Sequence, residues 1–208
     1  MATSARLFAE RGLAGTTMRA IADECGIQAA SLYHHFGSKD DLIAAIMTRS
    51  SAHVVDLYDQ ICAADLEPVA RFEALIRATL KNFHRHTHEA QMFYDNPTYV
   101  AAAPGLQRVR DDAQANDRLW VATIDDTLAA GQLRTDIKPA RLKVLLRNMI
   151  WSTTRGLRRG KTSTDIADEV VALLLHGCLV NTTANRGARS GAPRRQICQR
   201  TDASGSGV

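Results

Sequence analysis

Residues 16–36 read TTMRAIADECGIQAASLYHHF and contain two short stretches of helical periodicity separated at Gly26. Apolar side chains recur at helical spacing, and the glycine marks a turn between the two stretches. Two helices joined by a turn of about three to four residues form a helix-turn-helix. The predicted inner face consists of Met18, Ile21, Ala22, Ile27, Leu32 and Phe36, with Leu7 and Phe8 of a preceding helix closing the core.

The second helix of this unit presents small and polar side chains on its predicted outer face. At about 1.5 Å per residue it is roughly 11–12 Å long, a size that the major groove of DNA accepts. Ala29 and Ala30 permit close approach to a thymine methyl group, and Gln28 can hydrogen-bond an adenine edge. The candidates for phosphate contacts are Thr17, Tyr33, His34 and Lys39. A merely solvated helical surface is the alternative interpretation.

The longer run LFAERGLAGTTMRAIADECGIQAASLYHHFGSKDDL, residues 7–42, closely resembles the DNA-binding region of TetR-family transcriptional repressors. The matching segments are LFAERG, TTMRAIA, ECGI, SLYHHF and GSKDDL. The resemblance implies phosphate contacts from Thr17, Tyr33 and Lys39. It implies base-edge contacts from Gln28, Ala29, Ala30 and Ser31, together with Tyr33 and His34. It further implies a palindromic, double-stranded DNA operator.

Helical periodicity continues beyond this motif, and strand-like alternation is nearly absent. With the resemblance, it predicts an all-α fold of about nine helices. A three-helix helix-turn-helix DNA-binding domain occupies 1–46, a helical ligand-binding and dimerisation domain 47–183, and a disordered tail 184–208. Ser38 is expected to cap a helix, and Pro139 to begin one. The predicted helices are 2–11, 17–25, 28–35, 38–63, 68–86, 105–130, 139–155 and 164–180, with a short one near 91–94.

The formal net charge of +4 arises entirely in the predicted tail. Residues 1–180 carry 21 basic and 21 acidic side chains, whereas 181–208 carry five arginines and one aspartate. The basic total therefore does not by itself indicate a nucleic-acid partner. Within the balanced part, residues 134–161 carry nine basic side chains and one acidic one. This basic stretch is either a solvated face or part of a binding site for an anionic group.

Several classes of protein lack support in the sequence. No apolar run approaches the roughly 18 residues of a membrane span, and an amphipathic helix at the start predicts a cytoplasmic protein. The four cysteines are scattered, and His84, His86 and His88 have no clear further ligand, so neither a metal site nor a cofactor is expected. The chain contains no GxSxG, GxxxxGK or HExxH motif, so we expect no enzyme activity.

The middle of the chain is rich in large side chains that suit an apolar pocket, although ordinary core packing is the alternative for each. The pocket candidates taken from this region are Phe83, Met92, Phe93, Tyr94, Trp120 and Trp151. Two later segments, 142–150 and 170–179, are more apolar than one protomer requires. The family resemblance implies that the last two long helices pair across a two-fold axis, which predicts a homodimer.

Residues 147–158, RNMIWSTTRGLR, are similar to a TetR subgroup that controls sterol and fatty-acid breakdown and responds to acyl-CoA thioesters. The resemblance implies ligand contacts from Arg147, Trp151, Arg155 and Arg158, while Gly156 stands where that subgroup has a bulky aromatic residue. We therefore expect a ligand-responsive repressor released by a hydrophobic small-molecule effector, with an acyl-CoA as one candidate. A TetR-type regulator of efflux or detoxification genes, responding to another hydrophobic molecule, is the alternative.

Overall fold

The computed structural model describes residues 1–136, 138–157 and 168–173, with the backbone alone at 154–157. Over these residues the fold is all-α, as predicted, and the short segment 168–173 is also helical. Its helices are α1 Ala2–Gly15, α2 Met18–Cys25, α3 Ala29–His35, α4 Lys39–Ala63, α5 Pro68–Arg85, α6 Thr87–Tyr94, α7 Pro97–Ala102, a 3-10 turn Pro104–Leu106, α8 Gln107–Ala129 and α9 Pro139–Leu157.

The first three helices have local sequence causes for their ends. Gly12 adopts φ 79° and interrupts the regular part of α1 close to its predicted end. The Thr17 hydroxyl oxygen accepts a hydrogen bond from the Ala20 N–H at 3.1 Å and thereby caps α2. Gly26 closes α2 in the left-handed conformation, at φ 66°. These stops fix the angle between α2 and α3.

Helix α4 begins as the sequence predicts. The Ser38 hydroxyl oxygen accepts a hydrogen bond from the Asp41 N–H at 3.1 Å, and Asp40 and Asp41 occupy the first turn, where carboxylates favour the helix dipole. The segment 87–104 is more regular than expected, because it contains both α6 and α7. Pro97 provides a preset first position for α7, and Asn96 Nδ2 bonds the Met92 carbonyl near the end of α6.

Two apolar clusters form the core. The first cluster lies mainly in the head, which we define as residues 1–46, and it also includes Met47, Met92, Val100, Leu106 and Val109 from beyond the head. The second cluster lies in the body, which we define as the described residues after 46, and joins α5, α8 and α9. Helix α6 contributes to both clusters, since Met92 belongs to the first and Ala90 to the second. The head is therefore packed directly onto the body.

One predicted core position is wrong. Ile27 was assigned to the inner face of the helix-turn-helix, but its side chain is 44 % exposed. It follows the left-handed Gly26 and precedes the start of α3, so it belongs to neither helical face. The turn geometry, rather than helical periodicity, decides where this side chain points.

Some expectations concern positions that the structure does not describe. These are most of the predicted helix 164–180, of which 168–173 is seen to be helical, and the predicted tail 184–208. Among the described helices, none is long and apolar enough to cross a lipid bilayer. In the same part of the chain, no three His, Cys, Asp or Glu side chains are grouped as a metal site would require.

Candidate functional site

The surface of α3 carries the residues that the sequence assigns to base contacts. Tyr33 is 52 % exposed, and Ala30, Ser31 and His34 are exposed beside it, with Gln28 exposed at the N-cap position. Leu32 is buried and holds the opposite side of the helix against the first cluster. Ala29 is half-buried and packs on that cluster, so only part of its surface faces outward.

The two flanking phosphate candidates are held by the backbone. The exposed Thr17 hydroxyl accepts from Ala20 and keeps its own hydrogen available to donate. Lys39 Nζ donates to the Leu13 carbonyl at 3.0 Å, which ties the start of α4 to the end of α1. An ammonium has three donors, so Lys39 retains capacity for another acceptor.

Internal hydrogen bonds hold the helices of the head in one arrangement. Thr16 is fully buried, and its hydroxyl oxygen lies 3.1 Å from the Leu7 carbonyl and 2.9 Å from the Gly12 carbonyl. On the surface, Arg6 bridges Glu10 and Glu24, which joins α1 to α2. These bonds hold α1 and α2, against which α3 packs, in a fixed arrangement, as precise recognition requires.

The body contains a partly open cavity of about 350 Å³ bordered by α4, α5, α6, α8 and α9. This volume is at the lower end of the range for small-molecule sites. Its walls are mainly apolar, and aromatic rings contribute from four helices. The aromatic and aliphatic lining residues are Met47, Val54, Tyr58, Phe83, Ala90, Phe93, Tyr94, Val109, Ala113, Trp120, Leu146 and Ile150.

The predicted pocket residues separate into three groups. Those that line the cavity are Phe83, Phe93, Tyr94, Trp120 and Arg147. Met92 does not line it, because this side chain is fully buried in the first cluster. Trp151 lies behind the wall, stacked on Tyr94 with ring centroids 4.6 Å apart. The Arg155 side chain and all of Arg158 lie outside the described residues.

Buried polar side chains form a chain of hydrogen bonds along one wall. Thr79 donates to the Leu75 carbonyl at 2.7 Å, so the Tyr58 hydroxyl donates to Thr79 Oγ1, also at 2.7 Å. Burial raises the pKa of Tyr58, and burial likewise raises the pKa of Tyr94. Both phenols therefore remain neutral at physiological pH.

The charged side chains on the cavity wall are balanced. Lys143 Nζ lies 3.0 Å from Asp117 Oδ2, and both residues line the cavity. Arg147 and Glu89 add one charge of each sign. The basic stretch 134–161 thus contributes only Lys143 and Arg147 to the described wall, and two carboxylates offset them.

Helix α9 has two apolar faces. Leu142, Leu146 and Ile150 are buried in the second cluster, whereas Val144, Leu145 and Met149 are exposed. In the neighbouring segment 168–173, Leu173 is also exposed. Exposed apolar side chains grouped in this way are characteristic of surfaces that bind another protein chain.

The comparison with known families covers the head. Residues 1–46 match the family described as bacterial regulatory proteins, tetR family. The head is a TetR-family DNA-binding domain. TetR-family regulators bind operator DNA and small-molecule effectors, work as dimers and are not enzymes, so this chain is not an enzyme.

Likeness to individual regulators extends over most of the chain. The transcriptional repressor KstR2 of Mycobacterium tuberculosis (strain ATCC 25618 / H37Rv) is 27 % identical over 176 residues, covering 84 % of this chain and 88 % of the relative. KstR2 of Rhodococcus jostii (strain RHA1) is 29 % identical, covering 84 % and 86 %. The chain is therefore similar to KstR2 in both its head and its body.

Two solved structures extend the comparison. The ketosteroid transcriptional regulator KstR2 of Mycobacterium tuberculosis superimposes with a TM-score of 0.81 at 26 % identity, covering 86 % of this chain and 92 % of that one. AibR, solved in complex with isovaleryl coenzyme A and operator DNA, gives a TM-score of 0.71 at 22 % identity, covering 83 % and 94 %. At that identity the likeness to AibR concerns the fold alone.

The sequence does not identify several residues of the cavity wall. Thr79, Asn82 and Phe83 recur at helical spacing along α5, and all three line the cavity. Of these three, only Phe83 is predicted to line a pocket, because a large aromatic side chain is the usual sign of one. The signal for Thr79 and Asn82 is a face of the amphipathic helix α5 that carries both polar and apolar side chains.

Proposed function

We propose that the chain is an effector-responsive transcriptional repressor of the cytoplasm, which binds a palindromic operator as a homodimer and is released by a hydrophobic effector. The observation that carries this proposal is the position of α6. Met92 of this helix is buried in the first cluster, while Phe93 and Tyr94 line the cavity. A molecule that pushes on the cavity side of α6 therefore acts on the packing of the head.

Release then follows from different affinities for two arrangements of the head. The operator favours the arrangement in which both copies of α3 match the DNA, and the effector favours the arrangement that best fits its cavity. By linkage, the effector lowers operator affinity by the same factor by which the operator lowers effector affinity. The linkage requires two coupled sites and no chemical reaction.

The proposed DNA contacts follow the exposed surface around α3. The contacting residues are Thr17, Gln28, Ala29, Ala30, Ser31, Tyr33, His34 and Lys39. Because residues 1–50 carry as many acidic as basic side chains, binding depends on where these groups are placed rather than on net charge. Lys39 and Thr17 are assigned to phosphates, since each retains a free donor at the flank of α3.

The proposed dimer uses the exposed face of α9. Val144, Leu145 and Met149 on this helix provide the apolar surface that a two-fold contact would bury, and Leu173 of the segment 168–173 is a further exposed apolar side chain. A dimer is needed because two helix-turn-helix units must reach half-sites about one helical turn of DNA apart.

The test of operator binding is a mobility-shift titration with the DNA that flanks the gene. We expect a complex that weakens with increasing salt, because phosphate contacts release counterions. Tyr33→Ala is expected to lower operator affinity about tenfold or more, while the exposed position leaves thermal stability nearly unchanged. Gln60→Ala, at an exposed site on α4 in the body, is the control. An unaffected complex in Tyr33→Ala would reject the assignment of α3.

An acyl-CoA thioester is the first candidate for the effector. Its support is the similarity of 147–158 to acyl-CoA-responsive regulators, the presence of Arg147 and Lys143 on the cavity wall, and the shared fold of AibR, which was solved with isovaleryl coenzyme A. Arg147, Arg155 and Arg158 would hold the anionic part, and the aromatic wall the acyl chain, with Trp151 supporting Tyr94. The second candidate is an uncharged hydrophobic molecule, which the balanced charges of the described wall favour.

Calorimetry separates these candidates. If the effector is an acyl-CoA, octanoyl-CoA is expected to bind the wild type and to bind Arg147→Ala at least several-fold more weakly, because the arginine pairs with the anion. The affinity for methyl octanoate, which has the same acyl chain but no anionic group, should be unaffected by the same substitution. Absence of heat with any acyl-CoA, combined with release of the operator by an uncharged ligand, would select the second candidate.

A further inference from the structure

The cavity wall contributed by α5 contains a buried carboxamide with an unused acceptor. Asn82 is only 6 % exposed and lines the cavity. Its Oδ1 atom is buried and has no hydrogen-bond partner among the described residues. A buried acceptor without a partner costs free energy of folding, and nearly all such groups in proteins are paired. An unpaired acceptor on the wall of a cavity therefore indicates a partner that enters the cavity.

The neighbouring polar groups do not provide that partner. The Thr79 hydroxyl, one turn earlier on α5, donates to the Leu75 carbonyl at 2.7 Å. The Tyr58 hydroxyl donates to Thr79 Oγ1, also at 2.7 Å, so its single hydrogen is committed as well. The two buried hydroxyl groups nearest in sequence and on the facing helix thus satisfy each other and leave Asn82 open.

We propose that Asn82 Oδ1 accepts a hydrogen bond from a hydroxyl group on the hydrocarbon part of the effector. The proposal rests on the proposed function, since it concerns the same cavity, and it adds a requirement for a donor. A ketone or an ether offers only acceptors and would leave Oδ1 unpaired. An ammonium group is disfavoured, because Lys143 and Arg147 on the described wall offset Glu89 and Asp117.

The lining also defines the remainder of this molecule. Phe83, Trp120 and Ile150 surround the cavity with apolar surface, and its volume is about 350 Å³. A compact hydrocarbon skeleton fills such a space, and a single polar group fixes its orientation. Asn82 is thus a specificity-determining residue, because a site built to hydrogen-bond a hydroxyl discriminates against an analogue that lacks one.

The test uses two steroids with the same skeleton, 5α-androstan-17β-ol and 5α-androstan-17-one, which differ only in a hydroxyl and a ketone. Binding is followed by quenching of tryptophan fluorescence, since Trp120 lines the cavity. The wild type is expected to bind the alcohol roughly tenfold more tightly than the ketone. In Asn82→Leu, which has similar shape and no acceptor, the two affinities should agree within about twofold, while ketone affinity is retained.

Three results with the wild type would overturn the proposal. These are equal affinities in the wild type, preference for the ketone, or failure of both steroids to bind. A preference for the alcohol that survives in Asn82→Leu would overturn it as well. Operator release is measured in the same samples to separate the two proposals. Selective binding without release supports the role of Asn82 and rejects the proposed function, whereas release without selectivity does the reverse.

Thermal unfolding of the ligand-free protein supplies a second readout. Because Asn82→Leu removes an unpaired buried acceptor, its Tm should rise by roughly 2–4 °C. Gln91→Met is the matched control, since Gln91 Oε1 is also buried and unpartnered among the described residues but does not line the cavity. That control should raise Tm similarly and leave the steroid preference unchanged. A fall of Tm in Asn82→Leu would mean that the carboxamide has a structural partner, which overturns the proposal.

Discussion

The head and the body differ in how completely their buried polar side chains are hydrogen-bonded. In the head, the buried Thr16 hydroxyl has two carbonyl acceptors within reach, and Thr17 and Ser38 cap helices α2 and α4. All four buried side-chain atoms without a partner among the described residues lie in the body, in Arg71, Asn82, Gln91 and Gln132. The head is built to hold one geometry, whereas the body retains a cavity and open polar groups. A regulator needs both, because DNA recognition requires a fixed surface and effector recognition requires unused binding capacity.

The largest effect is expected from emptying the core of the head. Phe8 is almost fully buried in the first cluster, so Phe8→Ala should lower the free energy of unfolding by about 3–5 kcal/mol. Urea denaturation followed by circular dichroism measures this change. Phe83→Ala should cost less, because the Phe83 ring already borders the cavity and has fewer contacts to lose. Equal costs at the two positions would remove the distinction between a filled head and a hollow body.

Replacing one alanine in the head and one alanine at the cavity by valine tests the same distinction by adding volume. Ala22 is fully buried in the head, whereas Ala90 borders the cavity. Ala22→Val should lower stability by about 1–3 kcal/mol through overpacking. Ala90→Val should cost no more than about 0.7 kcal/mol, the usual helix-propensity penalty, because the added methyl groups enter free space. Denaturation midpoints of the two variants decide the matter, and a larger loss at Ala90 would contradict the prediction.

The smallest effect concerns a cap at the start of α4. Ser38→Ala removes the acceptor of the Asp41 N–H and should lower stability by about 1 kcal/mol. Ser50→Ala, in the interior of the same helix, should change stability by less than about 0.5 kcal/mol, since alanine is the better helix former. Thermal unfolding of both variants provides the measurement. A loss no larger for Ser38→Ala than for the control would show that this cap is not important for the head.

The sequence allowed prediction of the fold where local signals determine structure. Caps at Thr17 and Ser38 and the glycine at 26 located α2, α3 and α4 closely, because each signal acts within one turn of helix. Ile27 was misplaced since it lies in the turn, where helical periodicity does not apply. Helix α6 was underestimated because it is short and apolar on two sides.

The cavity was only partly predictable, because its residues are defined by contacts between distant helices. Met92 and Phe93 are adjacent in sequence, and both pack on the first cluster, yet only Phe93 also lines the cavity. Successive residues on a helix point about 100° apart, and a helix between two apolar clusters gives no periodic signal for which side is which. The open acceptor of Asn82 was not predictable either, since a missing partner is a property of the folded neighbourhood.

Because the first cluster includes side chains from beyond the head, it limits which segments can be exchanged between regulators. The family match ends at residue 46, but Met47, Met92, Val100, Leu106 and Val109 complete the apolar interior of the head. A hybrid regulator that joins residues 1–46 to a foreign body would lack these five side chains and would expose the surface they cover. The unit that can be exchanged between regulators must therefore include helices α6 and α7 and the beginning of α8, although the chain between them and the head contributes to the effector cavity.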